Sequence, residues 1–254
     1  KVIARQIMIA AGIPVIPGTE VLESGAAGED EAIRFAEENG FPIMIKAVAG
    51  GGGRGIRAAQ DLAELIRGLR IARSEAQMAF GSDEIYLEKA LVNPRHLEVQ
   101  ILADSHGNIV HLGSRNCSIQ RRHQKLIEIA PASLPQNLMD CICDTAVKAT
   151  RACHYVNAGT VEFLLDEDDR HYFLEVNTRI QVEHTVTEVI TGIDLVREQI
   201  RIAAGEPVSF SQSDVHFRGY AIELRINAED PKNNFMMANP GLIQFYQSPG
   251  GHGT

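Results

Sequence analysis

The stretch FPIMIKAVAGGGGRGIRAA, Phe41 to Ala59, decides how the chain is read. Lys46 ends an apolar run, and four consecutive glycines, Gly50 to Gly53, come close behind it. A turn needs one or two glycines, because each further one costs roughly 0.5–1 kcal/mol of backbone order in regular structure. Something therefore has to come close to this backbone. Gly50 to Gly55 satisfy G-x-G-x-x-G, but Ile56 to Ala59 read as strand, where a dinucleotide fold requires a helix. A Walker A loop is excluded because Ile56 and Arg57 stand where Lys and Ser or Thr are needed. What remains is a glycine hairpin with Lys46 at its base. It is either a flap whose N–H groups cradle a polyphosphate or a surface loop with a solvated lysine.

Outward from this hairpin the chain punctuates itself. An amphipathic helix over Val2 to Ala11 ends at GIPVIPG, which starts a short strand. Asp30 to Asn39 is helical, and Phe41 to Val48 and Ile56 to Ala59 are strands. Asp61 and Glu64 form a capping-box pattern that opens a helix toward Ala79, and EIYLEKAL closes an α+β unit near residue 90. Beyond it, HLEVQIL pairs with NIVHL and TVEFLL with HYFLEV as hairpins, with a helix from Pro135 to His154 between them. A later helix, Asp194 to Ala204, precedes GYAIELRINAED. Both ends read as cuts: a lysine opens the first helix, and SPGGHGT follows the strand-like LIQFY.

The 254 residues, 44% hydrophobic, suffice for a real core. A formal charge of -9 disfavours a general nucleic-acid surface and leaves any anion site to be built locally. No apolar run reaches the roughly 18 residues of a membrane helix. Cys117, Cys141, Cys143 and Cys153 lack zinc-ribbon spacing and read as reduced thiols of a cytosolic or matrix-like compartment.

In GTVEFLLDEDDRHYFLEVNTR, pairing Asp166 with His171 matches Val161 to Val176, Phe163 to Leu174 and Leu165 to Tyr172 on one apolar face. The opposite face then sets Glu162 across from Glu175, with Asn177 following. Opposed like charges destabilise a strand pair unless they are neutralised. Magnesium, or manganese in its place, suits two carboxylates and an amide oxygen; a solvated polar face is the alternative. In NTRIQVEH, Asn177, Arg179, Gln181 and Glu183 alternate if the strand continues. Arg179 could then hold a small planar anion and Glu183 accept its proton, or the two could form a structural ion pair. Arg121, Arg122, His123 and Lys125 crowd a chain that is otherwise acidic, which suits a phosphate or a developing anion when taken with the hairpin and the paired glutamates.

MIKAVAGGGGRGIR, EKALVNPRHLEVQ, CSIQRRHQK, NAGTVEF, LEVNTRIQVEHTVTE and RINAEDP stand in the order found in biotin carboxylases of the ATP-grasp superfamily, and the resemblance covers nearly the whole chain. RRHQK with NTRIQVEH is highly specific; the glycine run alone is not. The resemblance implies an α+β ATP-grasp fold. Residues 1–17 would lead in, residues 18–90 would form a small lid, and residues 91–254 a larger antiparallel-sheet subdomain. It implies phosphate contacts from Lys1 and Lys46, a lid loop of Gly51, Gly52 and Gly53, and an adenine hinge at Glu88, Lys89 and Leu91. His96, Gln120 and His123 would line the nucleotide site. Glu162 and Glu175, with Asn177 beside them, would hold the metal, and Arg179, Gln181 and Val182 would form a bicarbonate pocket. Glu183 would be the general base, and Lys125 would lie near the transferred phosphate and the biotin ring.

So implied, the enzyme is a ligase. Bicarbonate attacks ATP to give carboxyphosphate, whose carboxyl passes to biotin on a carboxyl carrier, with a carboxyltransferase completing the reaction. A homodimeric parent, in the cytoplasm or the mitochondrial matrix, goes with this reading, as does a role in fatty acid biosynthesis. The chain departs from the family where Ser114 replaces an acidic residue and Thr185 a proline. The family's first subdomain would precede Lys1, and an arginine supporting biotin carboxylation would follow Thr254. Two other readings are a carbamoyl-phosphate-synthetase-like ligase and a non-catalytic nucleotide-binding or assembly fragment.

Overall fold

The structure, a computed structural model, describes residues 2–50, 55–122, 124–237, 242–251 and 253. Two sheets organise the chain up to Leu224, where one compact body ends; a second body begins at Arg225.

The smaller sheet has the antiparallel order β2-β1-β3, with β1 at Ile43–Ala47, β2 at Ile56–Ala59 and β3 at Ile85–Lys89. Helices α2 (Ala26–Asn39) and α3 (Leu62–Phe80) cover it, and Phe35, Ile43, Ile45, Leu65, Leu69 and Leu87 form their shared core. In β1 burial alternates with a period of two, so Ile43 and Ile45 face the helices. Asp61 caps α3 by accepting from the Glu64 amide at 2.8 Å. The return leg of the expected capping box lands one residue earlier, Glu64 accepting from the Gln60 amide at 2.8 Å. At the end of the glycine hairpin, Gly55 has φ +72, and a Cβ there would come within 2.9 Å of the Ala47 Cβ, so only glycine fits.

The larger sheet runs β8-β7-β4-β5-β6-β9, with every neighbour antiparallel. Its strands are β4 (Arg95–Ala103), β5 (Ile109–Arg121), β6 (Gln124–Ala130), β7 (Asn157–Leu165), β8 (His171–Asn177) and β9 (Ala221–Leu224). Helix α4 (Gln136–Ala152) lays Ile142, Ala146 and Ala149 on Leu97, Val99, Val161 and Phe163, and α1 (Val2–Ala10) adds Met8 to this core. Helix α6 (Leu195–Ala203) joins Leu102, Val110 and Leu112 in a separate cluster, while α5 (His184–Thr191) packs Val186 and Ile190 on Ala130. No helix among the described residues is long and apolar enough to cross a membrane.

Four expectations change. GIPVIPG forms only isolated bridges, Val15 to Phe173 and Gly18 to Glu88, because its prolines withhold ladder donors. In the β7–β8 hairpin, Val161 faces Val176 and Glu162 faces Glu175 as expected, but a bulge follows and Phe163 meets Phe173 instead of Leu174. The gain is aromatic: the Phe163 and Phe173 rings meet edge-on at 6.5 Å, with both residues buried. β8 stops at Asn177, so NTRIQVEH is not a continued strand; the backbone turns and α5 starts at His184 with Glu183 at its N-cap position. Within the second body, a short ribbon pairs Glu229–Asp230 with Met236–Met237, and residues 242–246, the strand-like LIQFY, carry no strand.

Candidate active site

One rung of the large sheet carries four charged side chains in a row. Arg115 on β5 faces Glu98 on β4, Glu98 faces Glu162 on β7, and Glu162 faces Glu175 on β8. Alternation places these residues on one face, which Lys125 reaches from β6. Its ammonium lies 2.5 Å from Glu98, 2.8 Å from Glu162 and 2.7 Å from Glu183, and all three carboxylates are buried.

Every donor here is directed. Glu162 Oε1 accepts from Lys125, from Asn177 Nδ2 at 2.9 Å and from Gln181 Nε2 at 3.1 Å, while Oε2 lies 3.1 Å from His96 Nε2. The other ring nitrogen of His96 lies 2.7 Å from Gln120 Nε2. Burial opposes the charge on Glu162, but His96 and Lys125 outweigh it and lower its pKa to about 2. Glu98 follows the same logic: burial raises its pKa, and Arg115 and Lys125 more than reverse this. For Lys125, burial favours the neutral amine, yet Glu98 and Glu162 push its pKa well above the ordinary lysine value. The Cys117 thiol in the same cluster is driven up chiefly by burial. Among the described residues, two sets place their ligand atoms within 4.8 Å of one another: His96, Glu98 and Glu162, and Glu98, Cys117 and Glu183.

A second locus is a cavity lined by Arg5, Lys46, Tyr86, Glu88, Phe173 and Glu175 among others. Lys46 on β1 pairs with Glu88 on β3. Burial, then Glu88, raise the Tyr86 phenol far above its ordinary value.

The predicted residues therefore separate. Lys125, Glu162, Glu183, Gln181, Asn177, His96 and Gln120 meet around the ammonium, although Gln181 and Glu183 arrive by a turn rather than a strand. Lys46, Glu88 and Glu175 line the cavity. Lys89 turns to the carbonyls of Gly40 and Phe41 at 3.1 and 2.8 Å, and Leu91 is half-buried just past β3. Arg179 is exposed, donating to the Ile180 carbonyl at 3.1 Å, and Val182 is exposed as well. The basic cluster is split rather than a single patch: Lys125 turns inward, while Arg122 is exposed at the hairpin tip with φ 52. Lys1, Gly51, Gly52, Gly53 and His123 lie outside the described residues. Glu98 and Arg115 were not singled out from the sequence. The one available signal was a glutamate amid the apolar residues of HLEVQIL, which alone reads as the polar side of a hairpin.

Residues 1–210 match the family model described as the ATP-binding domain of the carbamoyl-phosphate synthase L chain. A pyruvate carboxylase subunit of Methanothermobacter thermautotrophicus is 54% identical over 255 residues, covering 100% of this chain and 51% of that protein. Biotin carboxylase 1 of Bacillus subtilis is 51% identical, covering 100% of this chain and 56% of its own length. The chain thus spans about half the length of the curated relatives it matches. Among solved structures, the biotin carboxylase domain of Hydrogenobacter thermophilus 2-oxoglutarate carboxylase, a dimer with MgADP, ADP and bicarbonate, superposes with TM-score 0.92 at 50% identity. It covers 100% of this chain and 55% of that one. The Campylobacter jejuni biotin carboxylase in complex with β,γ-ATP gives 0.91 at 45% identity, covering 99% and 55%. The α+β arrangement is thus the ATP-grasp fold of these biotin carboxylase structures. With its first 210 residues matched and that fold in place, the chain belongs to the family of the carbamoyl-phosphate synthase L chain ATP-binding domain.

Proposed function

We propose that the chain carries the nucleotide, metal and bicarbonate site of a biotin carboxylase, a ligase that phosphorylates bicarbonate with ATP and passes the carboxyl group to biotin on a carrier. The observation that carries this reading is the convergence of Glu98, Glu162 and Glu183 on the single ammonium of Lys125. Relatives about half identical, one solved with MgADP and bicarbonate, support it.

Oxygen donors fixed on adjacent strands fit magnesium, and Glu162, Glu175 and Asn177 would hold it. A bound ion would supply neutralising charge for a phosphoryl group in transfer. Residues 18–90 are the lid in this reading. Lys1, Lys46 and Gly51 to Gly53 take the phosphates, Glu88, Lys89 and Leu91 the adenine side, and His96, Gln120 and His123 the rest of the nucleotide. Arg179, Gln181 and Val182 orient bicarbonate. Glu183, a buried acceptor 2.7 Å from Lys125, takes its proton. Lys125 faces the charge that develops on the transferred group. A biotin carboxyl carrier, a carboxyltransferase and a second copy of the parent are the partners, in the cytoplasm or an organelle matrix.

Two measurements test the reading. Calorimetry with ATP and magnesium should show Glu175→Ala losing magnesium-dependent binding; unchanged binding removes Glu175 from the metal site. The intact polypeptide containing this chain should release phosphate in a bicarbonate-dependent, biotin-stimulated manner without ammonia. A strict need for ammonia would assign it to carbamoyl-phosphate chemistry instead.

A further inference from the structure

Arg115 is wholly buried, and its guanidinium meets five acceptors. Nε donates to Glu98 Oε1 at 2.5 Å. One terminal nitrogen reaches Gln100 Oε1 at 2.8 Å and Thr187 Oγ1 at 2.9 Å; the other reaches Thr160 Oγ1 at 3.3 Å and Gln181 Oε1 at 3.1 Å. A guanidinium has five N–H donors and no acceptor, so all of them are used. The partners come from β4, β7, α5 and the turn between β8 and α5.

This donor-only character has a directional consequence. Gln181 can offer Arg115 only its oxygen, so its Nε2 is left to face Glu162 Oε1, at 3.1 Å. Glu98 behaves alike: one oxygen is held by Arg115, and the other is presented to Lys125. We infer that Arg115 is a positioning residue that fixes the direction of the Gln181 amide, so that its nitrogen, rather than its oxygen, is turned to Glu162 and the proposed anion pocket beside it. The inference rests on the reading of Gln181 as part of the bicarbonate pocket. Arg115 itself would touch no substrate. A residue that merely held the sheet together would not discriminate between substrates, whereas this link runs from Arg115 through Gln181 to Glu162, none of which lines the cavity beside Lys46 and Glu88.

The experiment uses the intact polypeptide and steady-state phosphate release. Arg115→Lys keeps the charge but has three donors for five acceptors. It should raise KM for bicarbonate about tenfold, the worth of a hydrogen bond to a charged group, while KM for MgATP moves less than about threefold. Gln181→Glu leaves an oxygen for Arg115 and removes the donor toward Glu162, and should raise the same KM by a similar factor. The double variant should be no worse than the worse single one, because both break one link. Effects that multiply in the double variant, or a rise in both KM values together in Arg115→Lys, overturn the inference. If Arg115→Lys does not fold, Gln181→Glu decides: a bicarbonate KM within about twofold of wild type at an unchanged thermal midpoint overturns it. Absence of bicarbonate-dependent release by the unmutated protein sinks the proposed function and this inference with it. Release with unmoved KM values in the variants sinks the inference alone.

Discussion

Lys125 and Lys46 are both strand lysines paired with glutamate, yet they do different work. Lys125 is shared by three buried carboxylates from β4, β7 and the start of α5, of which Glu98 and Glu162 have further partners on the large sheet or beside it. Lys46 pairs with Glu88 across adjacent strands of the small sheet, at the wall of a cavity. The first is part of the fold's own electrostatics, assembled before any ligand arrives. The second is a local pair beside open space, where a ligand's phosphate could compete for the ammonium. In the proposed reading, chemistry that must be preorganised is built into the large sheet, and reversible binding falls to the cavity that Lys46 and Glu88 of the small sheet line together with Glu175 of the large one.

The largest expected effect tests the first half of this contrast. Lys125→Met leaves buried carboxylates without their common cation, and breaking a buried pair costs about 3–5 kcal/mol. The thermal midpoint should fall by roughly 10 °C for a chain of this size. A fall of under about 2 °C would mean the cluster is not part of the fold's electrostatics.

Next comes the acid side of the same cluster. With its folded pKa lowered from 4.5 to about 2, Glu162 contributes stability that is complete above pH 4.5 and disappears as the pH falls toward 2. The shift corresponds to something on the order of 3 kcal/mol. Urea midpoints measured from pH 5 to pH 2 should slope less steeply in Glu162→Gln than in wild type; parallel curves would contradict the assignment.

The smallest stability effect belongs to the cavity. Lys46→Met strands one buried carboxylate, Glu88, where Lys125→Met strands three, and should cost about 1–3 kcal/mol. It should also weaken MgATP binding about tenfold in calorimetry, the loss of one charge-assisted contact. A stability loss equal to that of Lys125→Met would erase the distinction between the two lysines.

Much of this was legible beforehand. Helix α3 came from its capping-box pattern, α4 and α6 fell within the stretches read as helical, and Glu162 opposite Glu175 followed from matching side chains across one short hairpin. The bulge at Leu174 escaped, because an extra residue is stabilised by Phe173 meeting Phe163, a contact that alternation does not encode. The end of β8 at Asn177 also escaped. An alternating pattern in NTRIQVEH was real, but Gln181 and Glu183 reach their partners from a turn into α5.

By itself, the sequence determined which stretches alternate, where chains turn, and which acids oppose each other across a local hairpin, since these depend on neighbours a few residues apart. Only the tertiary structure decided that β4 lies between β5 and β7. That placement sets Arg115, Glu98, Glu162 and Glu175 in one row and makes Lys125 the centre of a site. The reason is that a strand's own pattern states which face is polar, whereas the identity of the strand beside it is chosen by the packing of the whole sheet against α4 and α6.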